Sequence, residues 1–170
     1  MNAAKMANGF ISLAGAGRSA DLILKEQLGA QPKQVQDLCF PIIDSLKAGK
    51  TVDNVNPMLN SIFRSSVQPY LISWFKHDPQ EDLKKLQYPC LIVQGDNDLQ
   101  VSINDARLLA ATKNNNQLVI IEKMNHVMKI IDSGDRSANV AAYSNPTMAI
   151  SNELTKVIVN YINLLIKIGN

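Results

Sequence analysis

The chain has 170 residues, 46% of them hydrophobic and 19% charged, with a formal net charge of +2. That length suffices for one domain with a real core, and the scattered basic residues argue against a dedicated nucleic-acid surface. No apolar run approaches the roughly 20 residues that a bilayer crossing needs, and "MNAAKMANGF" lacks the pattern of a secretory signal, which leaves a cytoplasmic default.

In chain order, "MNAAKM" reads as the last turn of a helix that began earlier, and "GFISLAG" (9–15) as a short strand bounded by glycines. "GAGRSAD" is a loop whose Asp21 can cap the next helix. From about 21 to 76 only helices are predicted. "DLILKEQLG" stops at Gly29, and "PKQVQDLCFPIIDSLKAGK" breaks at Pro41 and ends near Gly49. "VDNVNPMLNSIF" and "VQPYLISWFKHD" are short helical pieces separated by prolines. "YPCLIVQG" (88–95) is a continuous apolar run of the kind parallel strands show. Cys90 opens it and reads as a buried free thiol; Cys39 and Cys90 are far apart, without metal-ligand spacing. "SINDARLLAATK" is a helix, "TKNNNQ" an Asn-rich turn, "QLVIIE" (117–122) a strand, and "PTMAISNELTKVIVNYINLLIK" a long closing helix.

Strand, helical block, strand, helix, strand, helix is βαβ logic, which implies a parallel sheet with right-handed crossovers. Three strands buried on both faces are few for this class, so the sheet reads as part of a larger one. Two loops that come directly after strands carry chemistry. "LIVQGDNDLQVS" ends its apolar run in Asp96 and Asp98, and "LVIIEKMNHVMK" ends its run in His126. Each has a plain alternative. Asp98 alone fits an Asx-turn or the cap of the helix starting near Ser102, and His126 alone fits a satisfied loop histidine.

Together these segments resemble the α/β-hydrolase family, most closely its serine-aminopeptidase-like and esterase-like members. "LIVQGDNDLQV" resembles the family's acid segment, G-x-x-D at a strand end, with Gly95, Asp98 and the small apolar Val101. "IIEKMNH" resembles its histidine segment, ending in N-H at His126. "FISLAGAGR" resembles the strand before the cap, the helices to "SWFKHDP" resemble the cap, and "PCLIVQG" resembles the strand after it. The resemblance implies a three-layer α/β/α parallel sheet truncated to about three strands. Residues 1–20 and 77–170 would form the core and 21–76 a helical cap. It implies a serine hydrolase acting on esters, amides or peptides without a cofactor. His126 would take the proton of a serine, and Asp98 would hold the imidazole. Asp96 would cap or face water. His77 reads as a surface histidine. Tyr70, Trp74 and Phe75 read as cap core, with a substrate wall as the alternative.

The family's nucleophile sits in G-x-S-x-G, a strained turn between strand and helix. The sequence has no such motif. Its nearest approach is "GRSAD", with Ser19 after a strand, before a helix and ahead of Asp98 and His126. Asp21 stands where a small residue should let strand and helix approach. The family also has a further strand between nucleophile and cap, and "FISLAG" resembles that strand. The resemblance therefore puts the elbow upstream of Met1 and makes this chain inactive alone. The alternative is a non-catalytic product that folds, self-associates or binds a small apolar ligand. Lys123 stands where many relatives have glycine, and is costly if that backbone needs φ > 0. No G-x-G-x-x-G or P-loop pattern points to a cofactor. Expected partners are a small ester, amide or peptide and, through an exposed strand 9–15, a second copy of the chain.

Overall fold

β2 (Cys90–Gly95) is buried at every position, which explains why its sequence runs apolar from Cys90 to Val93 rather than alternating. The computed structural model describes residues 7–168, so "MNAAKM", whose sequence reads as a helix end, lies outside the described residues. β1 (Phe10–Leu13) and β3 (Gln117–Ile121) flank β2 in the order β1-β2-β3. Both pairs are parallel, with Ile11 opposite Leu91 and Val93 opposite Val119.

The period of two along β2 sends its side chains to two faces. Cys90 and Ile92 pack with Ala106 and Leu109 of α6 (Ile103–Ala110), together with Leu83 and Leu86. Leu91 and Val93 pack with Leu154 and Tyr161 of α8 (Asn152–Ile168). The arrangement is three layers, α/β/α, as the sequence predicts.

The chain divides into two compact units. Residues up to Gly17 and from Leu83 onward form the sheet unit, and Arg18–Asp82 form a helical unit. The helical unit holds α1 (Ala20–Gly29), α2 (Lys33–Lys47), α3 (Asn60–Phe63) and α4 (Gln68–Phe75); α5 (Pro79–Lys84) spans the boundary. Cys39, Ile43, Leu46, Phe63 and Phe75 form the centre of its core.

Three sequence expectations need correction. Pro41 does not break α2, which runs from Lys33 to Lys47 with the proline inside. Pro41 lies on the exposed face, where water can satisfy the carbonyl that loses its N–H partner. The closing helix begins at Asn152, not at Pro146. The Asn145 side chain accepts the Thr147 N–H at 3.0 Å, closing a turn across the proline, and the Ser151 hydroxyl accepts the Leu154 N–H at 3.2 Å, where the helix starts. Finally, α7 (Arg136–Tyr143), capped by the Asp135 side chain, is a helix that sequence periodicity did not assign.

Candidate active site

The acid and histidine loops touch because Gly95 lets them. A Cβ at Gly95 would lie 1.9 Å from the Met124 carbonyl oxygen, so only glycine fits. Beyond it, the Asp96 N–H donates to the Ile121 carbonyl at 3.2 Å and the Asn97 N–H to the Met124 carbonyl at 3.1 Å. Lys123 has φ 60, the left-handed conformation. The cost foreseen for a lysine there is therefore present. Its N–H donates to Asp96 Oδ1 at 2.5 Å. Asp96 is exposed, in keeping with the water-facing reading, and its carboxylate also pins the histidine loop.

Asp98 divides its two oxygens between two tasks. Oδ1 accepts the backbone N–H groups of Gln100 at 2.7 Å and Val101 at 3.0 Å, which is the Asx-turn. Oδ2 accepts Gln94 Nε2 at 2.9 Å and faces His126 Nδ1 at 2.9 Å. The α6 cap is Ser102, whose hydroxyl accepts the Asp105 N–H, so the capping reading of Asp98 falls away. An Asp98 surrounded by donors is a charged acceptor. Nδ1 of a neutral His126 must then carry the proton, and Nε2 presents its lone pair. The Asp98 side chain is 1% exposed and the His126 side chain 29%, so the carboxylate is shielded while the ring reaches solvent. No hydrogen bond to His126 Nε2 is found among the described residues.

Sequence reasoning missed the amides around this pair. Gln94, on β2, is fully buried and also donates to the Val101 carbonyl at 3.0 Å; its Oε1 is buried without a partner. Asn125 receives the Lys129 N–H on Oδ1 at 3.0 Å and donates from Nδ2 to Asn139 Oδ1 of α7 at 3.2 Å. Asn139 Nδ2 donates to the Asn97 carbonyl at 2.7 Å. Lys129 Nζ donates to the Ala142 carbonyl at 2.7 Å, near the end of α7. The one local signal was polarity inside otherwise apolar stretches, at Gln94 beside "LIV" and at Asn139 between alanines and valine.

The other candidates belong to the helical unit. Ser19 is the buried N-cap residue of α1, with an ordinary extended backbone at φ −59 and ψ 147 rather than a strained elbow. Its hydroxyl is engaged with Asp21, which also binds Lys47 Nζ at 2.8 Å. Burial raises the Asp21 pKa, but the bonds from Lys47 and Ser19 outweigh it and hold the carboxyl below its usual range. His77 is a surface histidine beside Asp82. The core reading of the aromatic trio holds for Phe75 alone. Tyr70 is 61% and Trp74 48% exposed, on the outward side of α4, with ring centroids 5.7 Å apart. An open cleft of about 600 Å³ in this unit is lined by Leu38, Ile42, Val52, Val55 and Leu59, and by none of those aromatics. Among the described residues no three His, Cys, Asp or Glu side chains cluster as metal ligands.

No family model matches the sequence, and no curated protein matches it either. The fold is similar to several solved structures. An α/β fold family hydrolase from Bacillus anthracis str. Sterne shares 15% identity at a TM-score of 0.39, over 72% of this chain and 55% of its own. A meta-cleavage product hydrolase from Pseudomonas fluorescens IP01 shares 15% at 0.39, over 83% and 57%. An esterase from Rhodococcus sp. ECU1013 shares 13% at 0.34, over 84% and 57%. This chain therefore spans little more than half the length of these structures. Likenesses this distant carry no weight on activity.

Proposed function

We propose that this chain contributes the acid and the base of a serine hydrolase of the α/β-hydrolase type, acting on a small ester, amide or peptide. The observation that carries the reading is His126 Nδ1 at 2.9 Å from Asp98 Oδ2, with Asp98 otherwise surrounded by donors and no partner for Nε2 among the described residues. In this reading Nε2 takes the serine proton as the serine oxygen bonds to the carbonyl carbon. The imidazolium, stabilised by Asp98, passes that proton to the departing alcohol or amine as its bond to the carbonyl breaks. Water then attacks the acyl-enzyme with the same base, and the serine recovers its proton.

Ser19, bonded to Asp21 on an unstrained backbone, does not suit the nucleophile. We assign that role to polypeptide outside these 170 residues, and a cap role to the helices of residues 21–76. A fluorophosphonate probe tests this in source cells. The expected label falls on a serine outside this chain, is lost in His126→Ala and persists in His77→Ala, while the isolated chain gives no turnover of p-nitrophenyl acetate. Labelling of Ser19, or labelling indifferent to His126→Ala, overturns the reading.

The apolar cleft in the helical unit favours a second reading, a chain that only binds a small apolar ligand. Saturable binding of such a ligand, abolished by Ile42→Asp, together with no labelled serine in source cells, would support it instead. We also propose self-association through β1, which among the described residues pairs with β2 alone and exposes Phe10 and Leu13. Light scattering at the monomer mass of 18.7 kDa with a cooperative melt would sink that proposal.

A further inference from the structure

We infer that Asn139 is a positioning residue that holds the acid and histidine loops in register for the Asp98–His126 pair. The inference rests on the reading of that pair as acid and base. Asn139 sits on α7 and is 1% exposed. Its side chain hydrogen-bonds neither Asp98 nor His126. Its two bonds instead reach the residues immediately before each: Nδ2 to the Asn97 carbonyl at 2.7 Å, and Oδ1 from Asn125 Nδ2 at 3.2 Å.

The direction of every bond in this bridge is fixed by backbone groups at its two ends. The Lys129 N–H can only donate, so the Asn125 atom it meets at 3.0 Å is Oδ1. Asn125 Nδ2 is then the donor, and the Asn139 atom facing it must accept. That leaves Asn139 Nδ2 to donate to the Asn97 carbonyl, which can only accept. No amide can be flipped without setting donor against donor or acceptor against acceptor. Aspartate at 139 would lack the donor, and glutamine would be too long for a site this buried. The helix is tied back to the same loop by Lys129 Nζ on the Ala142 carbonyl at 2.7 Å. This side chain thus adds, to the direct bonds between the two loops, a bridge next to the residues that carry the carboxylate and the imidazole. Displacing a reacting group by about 1 Å can cost on the order of 10²-fold in rate.

A purely structural asparagine would satisfy the Asn97 carbonyl and affect nothing else, and the imidazole distinguishes the two roles. Long-range ¹H–¹⁵N spectra of the isotopically labelled chain, at a pH where His126 is neutral, report which nitrogen carries the proton. The wild type is expected to hold the Nδ1–H form. Asn139→Ala and Asn139→Asp are expected to lose that preference and drift toward the mixture of free imidazole in water, with a retained cooperative melt. Val140→Ala, its exposed neighbour on α7, should leave the signal unchanged. If Asn139→Ala does not fold, Asn139→Asp, of nearly the same size, decides. A second measurement needs no variant: the Asn139 side-chain amide protons should exchange slowly, and rapid exchange overturns the bridge. A folded Asn139 variant with the wild-type His126 signal overturns this inference alone. A wild type without the Nδ1–H form overturns the acid–base reading and the inference with it.

Discussion

The helical unit buries Asp21 and Gln68, while the sheet unit buries Gln94, Asp105, Asn125 and Asn139. In the helical unit these groups are answered close by. Gln68 exchanges bonds with the N–H and carbonyl of Val52 and donates to the Phe63 carbonyl, tying loop to helix. Asp21 is answered by Lys47 and Ser19. In the sheet unit the amides Gln94, Asn125 and Asn139 gather where β2 and β3 end, beside the partly exposed imidazole of His126. A polar network closed on itself makes a fold specific, whereas one that ends in a shielded carboxylate and an outward lone pair is prepared to act on something else.

The largest expected effect separates two buried aspartates. In a hydrolase of the proposed kind, Asp98→Asn should lower kcat by about 10⁴-fold. The Gln100 and Val101 N–H groups hold the asparagine oxygen on their side, which turns its NH₂ toward Gln94 Nε2 and His126 Nδ1 and forces the imidazole into the other tautomer. Asp21→Asn should leave kcat unchanged. Asp96→Asn keeps an acceptor for the Lys123 N–H and should cost far less than Asp98→Asn. Equal losses at Asp96 and Asp98 in steady-state kinetics would show that the wrong carboxylate has been read as the acid.

A pair of glycines sharpens the same contrast in stability. Gly95→Ala would drive a methyl into the Met124 carbonyl and should cost about 3 kcal/mol in urea unfolding, the upper end for overpacking. Gly29→Ala, at the end of α1 with nothing within 4 Å of the added carbon, should be neutral or gain about 0.5 kcal/mol from helix propensity. A mild Gly95→Ala would mean that the two loops can part.

These contrasts also show what local pattern can carry. β2 was legible because burial on both faces leaves an unbroken apolar run. The acid and histidine loops were legible because chemistry placed unlike residues directly after such runs. α7 was not, because its buried side is made of Asn139 and Ala142 while its largest aliphatic residue, Val140, is 55% exposed. Hydrophobic periodicity cannot register a helix held by an amide. The bridge through Asn139 was hidden for a related reason: its partners, Asn97 and Asn125, are distant in sequence. Tyr70 and Trp74 misled in the opposite sense, since aromatic character predicts burial only on average.

Acid should distinguish the units next. The folded Asp21 pKa lies below its unfolded value of 3.8, so its contribution is complete above that pH and is lost as pH falls through the lower, folded value. Trp74, the only tryptophan, lies in the helical unit and reports its unfolding. The urea midpoint seen by Trp74 should fall between about pH 4 and pH 2, and fall less steeply in Asp21→Asn and Lys47→Met. Identical acid slopes in all three proteins would show that the Asp21–Lys47 pair contributes nothing measurable.

The smallest expected effect concerns the backbone at Lys123. A side chain in the left-handed region costs roughly 1–2 kcal/mol, and φ there is 60. Lys123→Gly removes that cost, but it gives the unfolded chain about 0.5–1 kcal/mol of extra freedom and loses an exposed pair with Asp132 worth a few tenths of a kcal/mol. The balance is a gain of about 0.5 kcal/mol in urea unfolding. The backbone N–H at 123 still reaches Asp96 in the glycine variant, so the His126 tautomer should not change. Asn54 in the helical unit, with φ 55, is the control, because asparagine tolerates this region and Asn54→Gly should gain less. A loss above about 1 kcal/mol in Lys123→Gly, or a changed His126 tautomer, would show that the lysine side chain itself helps hold the histidine loop.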